Sequence, residues 1–193
     1  MNILTDLLPS SVKVGSSTFD IVTDFRAGIS FYIMVEDGEE NFYKLLAPFF
    51  PNGTPRDITG AIEGVLYFLR MGEKTEGNAQ KKNKAAYSFN VDGESIYADF
   101  WRYYNIDLSK DSLHWWTFRS LLFGLPEDSN FKMRIYYRTC DLKGLPKKEQ
   151  KRIATIRKQI EIKTTEKGGK MTLEQRNAQM LDYVAKRSNE MRG

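Results

Sequence analysis

Residues 113–123 read Leu113-His114-Trp115-Trp116-Thr117-Phe118-Arg119-Ser120-Leu121-Leu122-Phe123. Wound as a helix, this stretch is apolar on most sides, because Trp115, Trp116, Phe118, Leu121 and Leu122 spread around the axis. A helix apolar nearly all round belongs in the centre of a fold. The reading is therefore a buried helix from Leu113 to Phe123, capped by Ser109 or Asp111 and ended by Gly124. His114 reads as a capping or packing residue near the start of that helix rather than as an acid–base group.

Working outward, residues 87–138 hold 14 of the 25 aromatic residues, including all three tryptophans, so this region is expected to be the densest part of the core. Asp92 is expected to cap a helix carrying Ile96, Phe100, Tyr103 and Tyr104, with Asn105 as its stop. Asp128 or Ser129 is expected to start another through Phe131, Ile135 and Cys140, before Gly144-Leu145-Pro146 breaks the pattern. Upstream, Val12 and Val14 alternate with polar residues, Gly15-Ser16-Ser17 supplies a turn, and Phe19 and Ile21 alternate again, which reads as a β-hairpin. An isolated hairpin is marginal in water, so it must lie on something else.

Two short helices follow, with faces Phe25, Ile29, Tyr32, Ile33 and Phe42, Leu45, Leu46, Phe49. A third is predicted from Thr54 as N-cap and Pro55 as first helical residue, through Ile58, Ile62, Val65, Leu66 and Leu69, to Gly72. Residues 73–86 are polar, with Gly77 and a Lys81-Lys82-Asn83-Lys84 cluster, and are expected to be a mobile loop.

The fold class expected is mainly α: a helical core domain over residues 1–144 with a small N-terminal β-hairpin, and a basic helical extension over residues 145–193. The extension carries thin apolar stripes, Ile153, Ile156 and Ile160 first, then Leu173, Met180, Leu181 and Val184 on a last helix started by Thr172 and Gln175. Such narrow stripes bury little alone, so these helices need a docking surface on the body or on a partner. The seven residues are the candidate partner-binding positions. Residues 141–193 hold 14 Lys and Arg against 7 Asp and Glu, while residues 1–140 hold 15 against 18. The basic character of the chain, formally +4, therefore belongs to the tail. Lys and Arg can neutralise phosphates, yet the tail lacks the interleaved aromatics that single-strand binders stack on. Nucleic acid is therefore expected to be an unlikely partner, and an acidic protein surface the better one.

Catalytic constellations are missing. His114 is the only histidine and Cys140 the only cysteine, too few for a usual zinc site or for any intramolecular disulfide. No Gly-x-Ser-x-Gly, Walker A or Gly-x-Gly-x-x-Gly pattern occurs. Asp92, Glu94, Asp99 and Asp107 read as caps and solvated surface rather than as a hydrolase pair or cation site. Arg102, Arg119 and Arg138 read as partners of Asp99 or Asp107, or as stacking on Tyr and Trp faces. The expectation is a non-enzyme with no cofactor or metal. With no apolar run of about 18 residues and no signal-peptide pattern, it is expected to stay soluble and unexported.

Several stretches resemble one family together: Phe19-Asp20-Ile21-Val22-Thr23-Asp24-Phe25-Arg26, Ile96-Tyr97-Ala98-Asp99-Phe100, Tyr104-Asn105-Ile106-Asp107-Leu108, and Leu113 to Leu122 with Gly124-Leu125-Pro126-Glu127-Asp128 and Tyr137-Arg138. They are similar to the bacteriophage "gene product fifteen" family of siphophage tail-module proteins, over roughly residues 7–163. The resemblance implies a protein encoded between the major tail protein and the tape-measure protein. It further implies a tail assembly chaperone of the host bacterial cytoplasm, which coats the tape-measure protein and recruits tail-tube subunits. It supplies no catalytic residues, and His114, Trp115, Trp116 and Arg119 fit a structural hub. On this reading the segment after Leu145 docks onto tail protein, while the aromatic body supports self-association or tape-measure binding. A structural virion component and a basic nucleic-acid-binding module are the alternatives.

Overall fold

The computed structural model describes residues 2–73 and 85–162, which form one two-stranded antiparallel sheet and seven helices. The fold is mainly α with a small N-terminal hairpin, as the sequence pattern predicts. Strands β1 (Ser11–Val14) and β2 (Ser17–Asp20) pair in the register Ser11↔Asp20 to Val14↔Ser17. That register leaves a two-residue turn, and Gly15 takes its first position with φ +59°, where a hairpin turn favours glycine. Val12 and Val14 point to one face and are buried, and β1 lies on helix α3 (Ile58–Leu69), which supplies the support a lone hairpin lacks.

Helix α1 (Phe25–Glu36) is capped by Asp24, whose carboxylate accepts from the Arg26 amide. Its buried face is Phe25, Gly28, Phe31, Tyr32 and Val35, rotated from the expected one, so that Ile29 and Ile33 sit at its margin. The cause is Trp115. A Cβ at Gly28 would lie only 2.4 Å from the Trp115 ring, so α1 presents the residue without a side chain to the indole. Helix α2 (Phe42–Leu46) follows its Asn41 cap and buries Leu45 and Leu46, with Phe49 buried just beyond.

The start of α3 differs from the predicted one. Asp57, not Thr54, is the N-cap and accepts from the Gly60 amide, while Pro55 is buried ahead of the helix. Aspartate at this position satisfies a free amide and places a negative charge at the positive helix end, which Thr54 three residues earlier does not do. Helix α4 (Phe89–Tyr104) also starts earlier than expected. Ser88 caps it, accepting from the Val91 amide, and Asp92 reaches back to the Ser88 amide from inside the first turn. Asn105 stops α4 in a left-handed conformation, φ +54°.

Helix α5 (Trp115–Phe123) runs from His114 to Gly124, α6 (Asn130–Thr139) follows its Ser129 cap, and α7 (Lys147–Gln159) follows Pro146. The core is aromatic. Phe118 of α5 stacks on Phe25 of α1 at 4.7 Å and on Phe100 of α4 at 5.1 Å, tying three helices through offset ring faces. Most of the segment expected to be a loop, and the whole last helix with Leu173, Met180, Leu181 and Val184, lie outside the described residues.

Two glycines test this packing in opposite directions. Gly28→Ala is expected to lower Tm despite its better helix propensity, because the new methyl meets the Trp115 ring. Gly93→Ala, on the open side of α4 where a Cβ meets nothing within 4 Å, is expected to raise stability by about 0.5–1 kcal/mol. Thermal melts followed by far-UV circular dichroism read both, and a neutral Gly28→Ala would contradict the packing described.

Candidate functional site

The Trp-rich block closes one end of α3. The Trp115 indole donates to the Leu69 carbonyl at 2.9 Å, Trp116 to the Phe68 carbonyl at 2.8 Å, and Arg119 also to Leu69 at 2.8 Å. Both carbonyls belong to the last turn of α3; that of Leu69 lies beyond the helix's own ladder, while that of Phe68 also accepts from the Met71 amide at 3.0 Å. His114 caps α5: Nδ1 accepts from the Trp116 amide at 3.1 Å and Nε2 pairs with the Pro9 carbonyl at 3.0 Å. A carbonyl only accepts, so the proton sits on Nε2, and both ring nitrogens are engaged. The His114 backbone also bridges Asp24, which joins the starts of α1 and α5. The arrangement is a structural hub with every chemically interesting group in use.

A second network surrounds Asp92, which is fully buried. Its carboxylate takes Arg138 Nη1 at 2.6 Å and Nη2 at 2.7 Å, Arg134 Nε at 2.6 Å and the Ser88 amide at 3.0 Å. Burial pushes the carboxyl upward, but the Arg138 hydrogen bonds, the Ser88 amide and Arg134 together outweigh it and hold the group below its ordinary range. The partners expected for Arg138 are Asp99, Asp107 or a Tyr or Trp face. Arg138 reaches Asp92 instead, because α6 crosses the first turn of α4 there.

Arg138 also donates to the Ile160 carbonyl at 2.7 Å, at the end of α7, while Arg157 of α7 donates to the Tyr137 and Cys140 carbonyls at the end of α6. Each of the two helices thus caps the other. In consequence the apolar stripe of α7 faces inward: Ile153 is 1% exposed and Ile160 8%, with Ile156 half-buried. Three of the seven candidate partner-binding positions are therefore already covered by the body.

The other acidic candidates have local work. Asp99, fully buried, accepts from the Asn130 and Phe131 amides at 3.1 and 2.7 Å and so caps α6 from a neighbouring helix. Asp107 accepts from Ser109, Lys110 and Tyr97 in the α4–α5 connection, and those contacts drive its carboxyl far below the usual range. Arg102 stacks on Tyr103 and Arg119 on Phe123. Among the described residues no group of three or more His, Cys, Asp or Glu side chains is placed to hold a metal ion, and no helix is long and apolar enough to cross a membrane.

What remains open to a partner is the outer surface. Opposite its buried face, α4 presents Val91, Glu94, Tyr97, Ala98 and Trp101 on one arc, with Trp101 52% and Tyr97 40% exposed. By their place in the aromatic-dense stretch these two residues are expected in the core, and the fold leaves them outside it. Their phase was the available signal: Tyr97 and Trp101 lie four residues apart and out of step with Ile96 and Phe100. The outer arc of α7 is basic, with Lys147, Lys148, Lys151, Arg152 and Lys158.

Asp92 sets an acid limit on the fold. A carboxyl held below its unfolded value contributes stability that is fully present above about pH 4 and is lost as pH falls through the folded value. Asp92→Asn is expected to destabilise by roughly 3–5 kcal/mol at pH 7, because it leaves two arginines facing a neutral buried group. Urea titrations at pH 7 and at about pH 3.5 check this; the gap between wild type and variant should narrow at the lower pH.

Comparison with known families matches residues 4–178 to the family described as Bacteriophage Gp15 protein. Neither the curated proteins nor the solved structures contain a match. The matched span covers both networks, from the N-terminal hairpin to the end of α7, and most of the chain. The chain belongs to the bacteriophage Gp15 protein family.

Proposed function

We propose that this phage protein is a tail assembly chaperone, which binds the tape-measure protein, the major tail protein or both in the host bacterial cytoplasm and does no catalysis. The observation that carries the reading is the outward arc of α4. A Trp and a Tyr left exposed beside a well-filled aromatic interior are the residue types that anchor protein interfaces. A tape-measure protein is a long helical chain with apolar faces, and a largely apolar arc about three turns long suits an amphipathic helix laid against it. The inner stripe of α7 is engaged with α6, so a partner of that helix meets its basic outer side.

Co-expression with tagged tape-measure fragments tests the proposal. Wild type is expected to be recovered with at least one fragment, and Tyr97→Ser with Trp101→Ser to reduce recovery by tenfold or more, about the 1.4 kcal/mol or larger loss expected of a hot-spot residue. Undiminished recovery of the double variant would remove α4 from the interface. Mass spectrometry of purified virions is expected to find the protein absent; presence in stoichiometric amounts would make it a structural component instead.

A further inference from the structure

The exposed arc of α4 runs for about 15 Å, from Val91 through Tyr97 and Ala98 to Trp101. The sequence beyond the described residues carries a stripe of matching length. Wound as a helix, Leu173, Met180, Leu181 and Val184 share one face over about 17 Å, and Asn177 falls on the same line between them. Arg176 and Arg187 edge that face, and the α4 arc presents an exposed carboxylate, Glu94. Stripe and arc therefore agree in apolarity, in length and in the sign of their charges.

The place where the described chain ends brings the stripe within reach. Arg138 holds the Ile160 carbonyl at 2.7 Å with the same guanidinium that binds Asp92 and the Ala86 carbonyl, so the chain leaves α7 beside the first turn of α4. That point lies on the inner side of α4, whereas the arc is on the outer side. Thr172 follows Ile162 by ten residues, which span up to about 33 Å when extended. Half the circumference of a helix about 10 Å across is only about 16 Å, so the connection passes round α4 with length to spare. A tether this short holds the stripe near the arc at an effective concentration on the order of millimolar, which favours it over a second copy of the chain at micromolar concentration.

We infer that residues 172–184 cover the α4 arc of their own chain, as a strap that a partner has to displace. The displacement step rests on the reading of that arc as the partner site; the cover itself does not. Such a strap shields an exposed Trp and Tyr until a partner with a longer apolar face competes for them, and it lowers the apparent affinity for that partner by the fraction of time the arc is closed.

Disulfide trapping in the full-length chain tests it. In a Cys140→Ser background, Ala98→Cys on the arc is paired with Asn177→Cys on the stripe, which leaves Tyr97, Trp101 and the four apolar stripe residues in place. The control pairs Asn177→Cys with Glu63→Cys, exposed on α3. Under mild oxidation at about 1 μM protein, the arc pair is expected to close within one chain at least about tenfold faster than the control, and Leu173→Asp with Leu181→Asp to abolish that advantage. Circular dichroism melts check folding, and Gly93→Cys, where a Cβ meets nothing within 4 Å, replaces Ala98→Cys if that variant does not fold, with the same advantage expected. Equal rates for the two pairs, or a disulfide between two chains, would overturn the inference. Tape-measure fragments separate it from the partner reading. Leu173→Asp with Leu181→Asp is expected to recover at least about threefold more fragment than wild type, and equal recovery overturns the displacement step. A fast arc disulfide with no fragment recovered by any form removes the partner reading and keeps the strap.

Discussion

The fold depends on how α3 ends. An apolar helix that stops inside a protein leaves backbone carbonyls without partners, and a buried orphan carbonyl costs about as much as a lost hydrogen bond. Here the Leu69 carbonyl is met by the Trp115 indole and the Arg119 guanidinium, and the Phe68 carbonyl, which also takes the Met71 amide, by the Trp116 indole. That one requirement fixes the axial position of α5, seats Trp115 over Gly28, turns α1, and aligns Phe118 between Phe25 and Phe100. His114 completes the arrangement by capping α5 and reaching Pro9, which holds the entry to the N-terminal hairpin against the same hub.

The elements read most directly from the sequence are those whose signals are local. The hairpin follows from strict alternation around Gly15; Asn105, left-handed, and Ser129 mark helix ends where the physics of caps places them, while Gly124 ends α5 in right-handed backbone. What depended on a neighbouring helix was not visible. The rotation of α1 is set by Trp115 nearly ninety positions later, and Asp92 looks like any N-terminal acidic residue until Arg134 and Arg138 are brought to it. Asp57 outcompetes Thr54 for the cap of α3 although both fit the local pattern. At the surface, composition concealed the α4 arc, because an exposed Trp101 and a buried Trp115 are the same residue type and differ only in phase.

Charge and apolarity are distributed in a way that separates the helices by task. The α4 arc is aromatic and outward, with its inner side spent on Phe100 and Asp99. The arc of α7 is lysine-rich and outward, with its isoleucines spent on α6. A stripe of three apolar residues in a basic helix read as a binding edge; in the fold it is the attachment that frees the opposite side for solvent. The family membership makes this a phage protein, and the surfaces available to partners are accordingly the faces that the interior did not consume.

The exchange of caps between α6 and α7 has a mechanical side. Arg138 grips both the last carbonyl of α7 and the interior carboxylate of Asp92, while Arg157 grips the end of α6. Tension applied to the polypeptide beyond residue 160 is thus handed straight to a buried ion pair at the first turn of α4, with no slack turn of helix to absorb it. A tug on this end is felt by α4, whose outer side carries Tyr97 and Trp101.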